Sequence, residues 1–130
     1  FPFIDYFTPN ETEASFYVNH PVETHDDASK AAKTLLEMGI KNVIITLGEK
    51  GAYFANGNET FSSPIANLSN PVVDTTGAGD AFNAGFAAAL TEGQNIKDAI
   101  AFASATAGLS TTKIGTANSM PNREEIDKIL

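Results

Sequence analysis

At 130 residues, with 42% hydrophobic and 18% charged side chains, the chain has the apolar content of one globular domain or part of one, and its composition excludes intrinsic disorder. A net charge of −8, with eight scattered Lys and Arg, argues against counterion-driven binding to nucleic acid. Zero cysteines exclude disulfides and thiolate chemistry, and no apolar run approaches the ~20 residues of a membrane span.

The chain opens on Phe1 rather than Met, and Phe1-Pro-Phe-Ile-Asp-Tyr-Phe reads as the approach to a buried strand. The expectation is a fragment of a longer protein. No basic segment leads into an apolar one, so a cytoplasmic location is the default. The sequons at Asn10, Asn58 and Asn67 are then read as chance.

Residues 4–8 form a predicted buried strand. Asn10 caps a helix behind it, with Glu13 at the capping-box distance. Asp26 or Asp27 opens a second helix, whose apolar positions Ala28, Ala31, Ala32, Leu35 and Leu36 keep the helical period. Gly39 ends it as the C′ residue, followed by Ile40 as a hydrophobic contact. The unalternating run 43–47, Val-Ile-Ile-Thr-Leu, reads as a parallel strand covered on both faces. After a turn at 48–51, residues 52–55 and 59–62 form a hairpin around Asn56-Gly57. Residues 64–71 make a polar connection. Helices follow at 80–92, ending at Gly93, and at 96–111 with Asn95 as N-cap. Small residues from Ala99 to Gly108 permit close approach of a neighbour and read first as core. A last helix starts near Asn122, with Glu125 at the capping-box spacing and Ile126, Ile129 and Leu130 inward. The order of elements predicts an α/β layered sheet, mostly parallel, with an antiparallel hairpin.

The chemistry concentrates in Asp74-Thr-Thr-Gly77-Ala78-Gly79-Asp80-Ala-Phe-Asn-Ala-Gly85, which runs from an extended segment into a helix. Closely spaced glycines at a helix start let backbone N–H groups converge where the helix dipole is positive, which makes an anion site. Asp80 puts a carboxylate into that nest. A general base belongs there, taking a proton from a hydroxyl as its oxygen attacks phosphorus. The pattern points to phosphoryl transfer from a nucleotide to an alcohol. A lone Gly-Ala-Gly can also be a plain tight turn. No Gly-x-x-x-x-Gly-Lys-Ser/Thr occurs, and Phe82 stands where a dinucleotide motif needs its third glycine, which disfavours a dinucleotide-dependent oxidoreductase.

Asn10 and Glu13 are either a simple cap or, at the carboxyl end of a strand, a water-mediated Mg²⁺ contact. Thr46-Leu47-Gly48-x-x-Gly51 is either a turn into the hairpin or a backbone that approaches a nucleotide. Asp74, so near Asp80, would repel an anion unless a cation lies between them. His20 and His25 show no ligand pattern and read as surface residues.

These residues resemble the ribokinase-like carbohydrate kinases, the PfkB family. The 74–85 segment looks like the family's second signature, Thr8-Pro9-Asn10-Glu11-Thr12-Glu13-Ala14 like its Asn-x-x-Glu motif, and 46–51 like its nucleotide-side turn. The resemblance implies a three-layer αβα, Rossmann-like fold, of which residues 1–130 are the C-terminal nucleotide-binding part. It implies Asp80 as base and the amides of Gly77, Ala78 and Gly79 as anion hole, with Asn10 and Glu13 organising Mg²⁺ and phosphates. Thr46, Gly48 and Gly51 would line ATP, with Ser104 on the adenine side. A monovalent cation, K⁺, would sit by Asp74, Thr76, Ser110, Lys113, Gly115 and Ser119. The acceptor is a small sugar, with ribose ahead of fructose, 2-keto-3-deoxygluconate or a nucleoside. The family's sugar-binding half and its dimerising lid are not among these residues, so the segment alone is expected to be inactive. A non-catalytic nucleotide-binding module is the reading from another class.

Overall fold

The computed structural model describes residues 5–64, 77–111, 123–127 and 130. The chain divides into two compact units, Phe1–Pro64 and Ile65–Leu130.

The first unit holds a four-stranded sheet in the order β1 (Tyr6–Phe7), β2 (Asn42–Thr46), β3 (Ala52–Asn56), β4 (Thr60–Ser63). Phe7 lies opposite Val43 in a parallel pairing, whereas β2–β3 and β3–β4 are antiparallel. Among the described strands the sheet is mixed, with the parallel pair β1–β2 leading into the expected antiparallel hairpin. The apolar run of β2 reported burial on both faces, and that does not specify the direction of a neighbour. Val43 and Ile45 share one core cluster with Ala55 and with Ala28, Ala31, Ala32 and Leu35. Ile44 pairs with Phe54 on the opposite face; both are fully buried, and Phe61 tilts against Phe54 with ring centroids 4.9 Å apart. Burial on both faces is what a layered α/β arrangement requires.

Helices α1 (Glu11–Val18) and α2 (His25–Glu37) pack on this sheet. Thr24, rather than Asp26 or Asp27, caps α2. Its hydroxyl accepts the Asp27 N–H at 3.1 Å, and the Asp27 carboxylate accepts from Glu23 N at 3.0 Å and Thr24 N at 3.3 Å. The Glu23 amide leads in holding the Asp27 carboxyl below the ordinary carboxylate range. The far end closes as expected. Gly39, at φ 104°, donates to Leu36 O at 3.0 Å, and Ile40 N donates back to Leu35 O at 3.4 Å, the two bonds of a Schellman motif.

The hairpin turn is shifted by one residue from the predicted Asn56-Gly57. Asn56 ends β3 and occupies the first turn position, since its N–H bonds Glu59 O at 3.0 Å. Its Oδ1 accepts from both Asn58 N and Glu59 N at 2.8 Å. Asn56 thus builds an Asx turn with its side chain, in place of the predicted positive-φ pair.

The second unit is an antiparallel helix pair, α3 (Ala78–Thr91) and α4 (Ile96–Ser110), with the short α5 (Arg123–Asp127). The small-residue stripe is core: Ala99, Ala103 and Ala105 are fully buried. At Gly85 a Cβ would lie 2.7 Å from Thr106 Oγ1 and 3.2 Å from Ala103 Cα. Gly85→Ala is accordingly expected to destabilise the fold by ~1–3 kcal/mol through overpacking, read from denaturant titration. Asn95 caps α4 by accepting Asp98 N–H at 2.9 Å. Arg123 ties α5 to the end of α3, bonding a Glu92 carboxylate oxygen at 2.7 Å while lying 4.7 Å from the Phe102 ring centroid. Ile126 is buried as expected, but Leu130 is 61% exposed. The predicted connection over 65–71 lies outside the described residues.

Candidate active site

In the first unit, the candidate residues gather at the carboxyl ends of β1 and β2. Thr46 N–H donates to Pro9 O at 3.0 Å, and Asn10 bridges Thr46 in parallel register. This sets the start of α1 beside the end of β2. The predicted capping box is present: Asn10 Oδ1 accepts from Glu13 N at 2.8 Å, and Glu13 Oε1 accepts from Asn10 N at 3.0 Å. Both side chains remain exposed. The carboxylate of Glu11 reaches the same spot, its Oε1 3.7 Å from where a Cβ on Gly48 would stand.

The 48–51 segment is a single 3₁₀ turn, closed by Lys50 N to Leu47 O and Gly51 N to Gly48 O, each at 3.0 Å. Leu47 N returns to Gly51 O at 2.7 Å. Gly51 has a structural reason to be glycine: its φ is 87°, and a Cβ would overlap the Ser63 carbonyl oxygen. Gly48, at φ 56°, faces more open space.

In the second unit, α3 begins at Gly77 in the left-handed region, φ 80°, and this N-cap residue makes no side-chain cap bond. The first intrahelical bond runs from Ala81 N to Gly77 O at 2.9 Å. The N–H groups of Gly77, Ala78, Gly79 and Asp80 thus precede the helical ladder. Asp80 is exposed in this first turn. The starts of α1, α2 and α4 are each closed by their own Asn or Thr side chain, whereas α3 has glycine at the cap position.

The helix pair brings Gly77–Asp80 and Ser110 to the same end, because α3 and α4 run antiparallel through the Gly85 contact. Ser110 is buried, and its hydroxyl donates to Ala107 O at 2.7 Å. Ser104 sits half-buried in α4, six residues or ~9 Å back along the axis. Asp74, Thr76, Lys113, Gly115 and Ser119 lie outside the described residues.

Residues 1–123 match the pfkB family carbohydrate kinases. The chain belongs to this family. Over 128 residues it is 41% identical to a ribokinase of Arabidopsis thaliana, covering 98% of this chain and 34% of that protein. A deoxyribokinase of Salmonella typhi is 36% identical over 126 residues, covering 97% and 40%. Arabidopsis thaliana ribokinase complexed with ribose and ATP superposes with a TM-score of 0.91 at 38% identity, over 98% of this chain and 41% of that one. Escherichia coli phosphofructokinase-2 in complex with potassium gives 0.84 at 26%, over 97% and 40%. The chain therefore spans between 34% and 40% of the curated relatives it matches, and its fold is of the ribokinase-like α/β class.

His25, expected at the surface without a role, is half-buried and bonded at both ring nitrogens. Its partners, Lys50 and Ser62, are 25 and 37 residues away, and no local pattern announces such contacts.

Proposed function

We propose that the protein carrying this chain transfers a phosphoryl group from ATP to a sugar hydroxyl, with ribose as acceptor. Asp80 takes the hydroxyl proton as the sugar oxygen bonds the γ-phosphorus. The bond from that phosphorus to the bridging oxygen breaks, and ADP leaves. The amides of Gly77, Ala78 and Gly79 accept the charge that develops on the transferring group. The observation that carries this reading is the exposed Asp80 carboxylate in the first turn of a helix that starts at a glycine, which has no side chain to cap it.

Asn10, Glu13, Thr46, Gly48 and Gly51 supply the nucleotide side, and Ser104 the adenine contact. Among the described residues no cluster of three or more His, Asp or Glu could hold a metal ion. The exposed Asn10 and Glu13 side chains would reach Mg²⁺ through water, as its hydration preference favours. When bound, Mg²⁺ neutralises charge on the phosphates. K⁺ would rest on carbonyl oxygens, Ser110 among them, with Asp74, Thr76, Lys113, Gly115 and Ser119. In this reading the chain is the C-terminal part of the enzyme, and the remainder supplies the sugar contacts and a dimerising lid.

The deoxyribokinase relative supports 2-deoxyribose as a second acceptor. Assaying the full-length enzyme with Mg·ATP against ribose, 2-deoxyribose, fructose and adenosine is expected to give ribose the highest kcat/KM. Preference for another acceptor by more than about tenfold, ~1.4 kcal/mol of transition-state binding, would reassign the substrate and leave the transfer chemistry intact. ATP binding without transfer to any acceptor would favour a non-catalytic nucleotide module.

A further inference from the structure

Residues 23–25 grip Lys50 from two sides. The Lys50 carbonyl can only accept, so His25 Nε2, 2.9 Å away, carries a hydrogen and donates it. In the neutral ring Nδ1 is then the acceptor, and Ser62 Oγ, 3.2 Å away, donates to it. On the other side, Lys50 Nζ donates to Glu23 O at 2.6 Å. The imidazole thus joins the start of α2 to both the 48–51 turn and β4. Helix capping does not account for it, because Thr24 and Asp27 already close that end reciprocally.

The oxygen that His25 holds belongs to the same rigid peptide plane as the Gly51 N–H. The turn has glycine at both ends, at φ 56° and 87°, and glycine restrains its own backbone least of all residues. The turn's own hydrogen bonds hold that plane through the Gly51 N–H, and His25 adds a second restraint on it from outside the turn.

We propose that His25 is a positioning residue for the bound nucleoside triphosphate, setting the 48–51 turn at the carboxyl end of β2 through the Lys50 carbonyl. This rests on the reading of that turn as the nucleotide side. The test is calorimetry of Mg·ATP on the full-length enzyme, with turnover measured in parallel. His25→Leu removes both polar contacts and keeps apolar bulk. It is expected to raise the Mg·ATP dissociation constant roughly three- to tenfold, the worth of one hydrogen bond. Turnover at saturating ATP should stay within about twofold, since uniform binding alone is lost. His25→Gln, which offers an amide N–H close to the Nε2 position, should recover most of the affinity. Ser62→Ala, at an exposed site, should produce a smaller rise and decides the question where His25→Leu does not fold. A purely structural role would lower the melting temperature and leave the dissociation constant alone. Unchanged affinity in the folded variants, or a rise that glutamine does not reverse, overturns the inference. A wild-type enzyme that fails to bind Mg·ATP overturns the nucleotide-side reading itself, and the inference with it.

Discussion

Asp80→Asn in the full-length enzyme is expected to lower turnover by ~10²–10⁴, the usual worth of a general base, while the Mg·ATP dissociation constant changes little. The two side chains have nearly the same shape, and both suit the first turn of a helix. Asn even keeps a carbonyl oxygen for nearby N–H groups. What it lacks is the ability to accept a proton at neutral pH. A carboxylate is also the better partner for the helix dipole, so a purely structural Asp80 would show its loss as a lower melting temperature with turnover nearly intact. Asp80 is exposed in that first turn, a position both accounts share, so turnover set beside melting temperature separates them. A drop in turnover of less than about tenfold would remove Asp80 from the role of base.

The parts of the fold that were legible in the sequence are those fixed over three to six residues. The Asn10–Glu13 capping box and the glycine-ended helices depend on bonds between near neighbours, and the structure shows them where the pattern placed them. The start of α2 was misplaced by two or three residues for an equally local reason. Asp27 has the composition of a cap but serves as the return partner of Thr24, and both roles draw on the same residue types. Strand direction was legible only in part: β2 is parallel to β1 and the β3–β4 hairpin antiparallel, as expected, but the antiparallel pairing of β2 with β3 was not announced. Val43, Ile44 and Ile45 are apolar because both faces of β2 are covered, and the direction of β3 is set by the hairpin, not by β2. The glycine-led helix start at 77–80 was legible because that motif is continuous, whereas contacts that bring distant residues together were not. Asn10 meets Thr46 across a parallel bridge, and His25 meets Lys50 and Ser62 across the hairpin. Each of these depends on sheet register, which no single segment encodes.

Gly79 and Gly85, on the same helix, separate the two reasons for keeping a glycine. At Gly85 the neighbouring helix leaves no room for a methyl group. At Gly79 a Cβ would meet nothing within 4 Å among the described residues, and Gly79 is not among the residues with positive φ. Packing and backbone conformation would both accept alanine there, and alanine in a helix is worth ~0.5–1 kcal/mol over glycine. Gly79→Ala is therefore expected to raise the melting temperature of the full-length enzyme, by roughly one to three degrees. The same methyl would stand over the N–H groups of the proposed anion hole and hold the phosphoryl group away from them. Loss of a single such donor typically costs ~10²–10³ in turnover, and a fall of at least about tenfold is expected here. Stability and activity should thus move in opposite directions at Gly79, whereas Gly85→Ala lowers stability first and activity only through it. A Gly79→Ala enzyme that is more stable and fully active would show that nothing approaches this backbone, and the anion hole would have to be sought elsewhere.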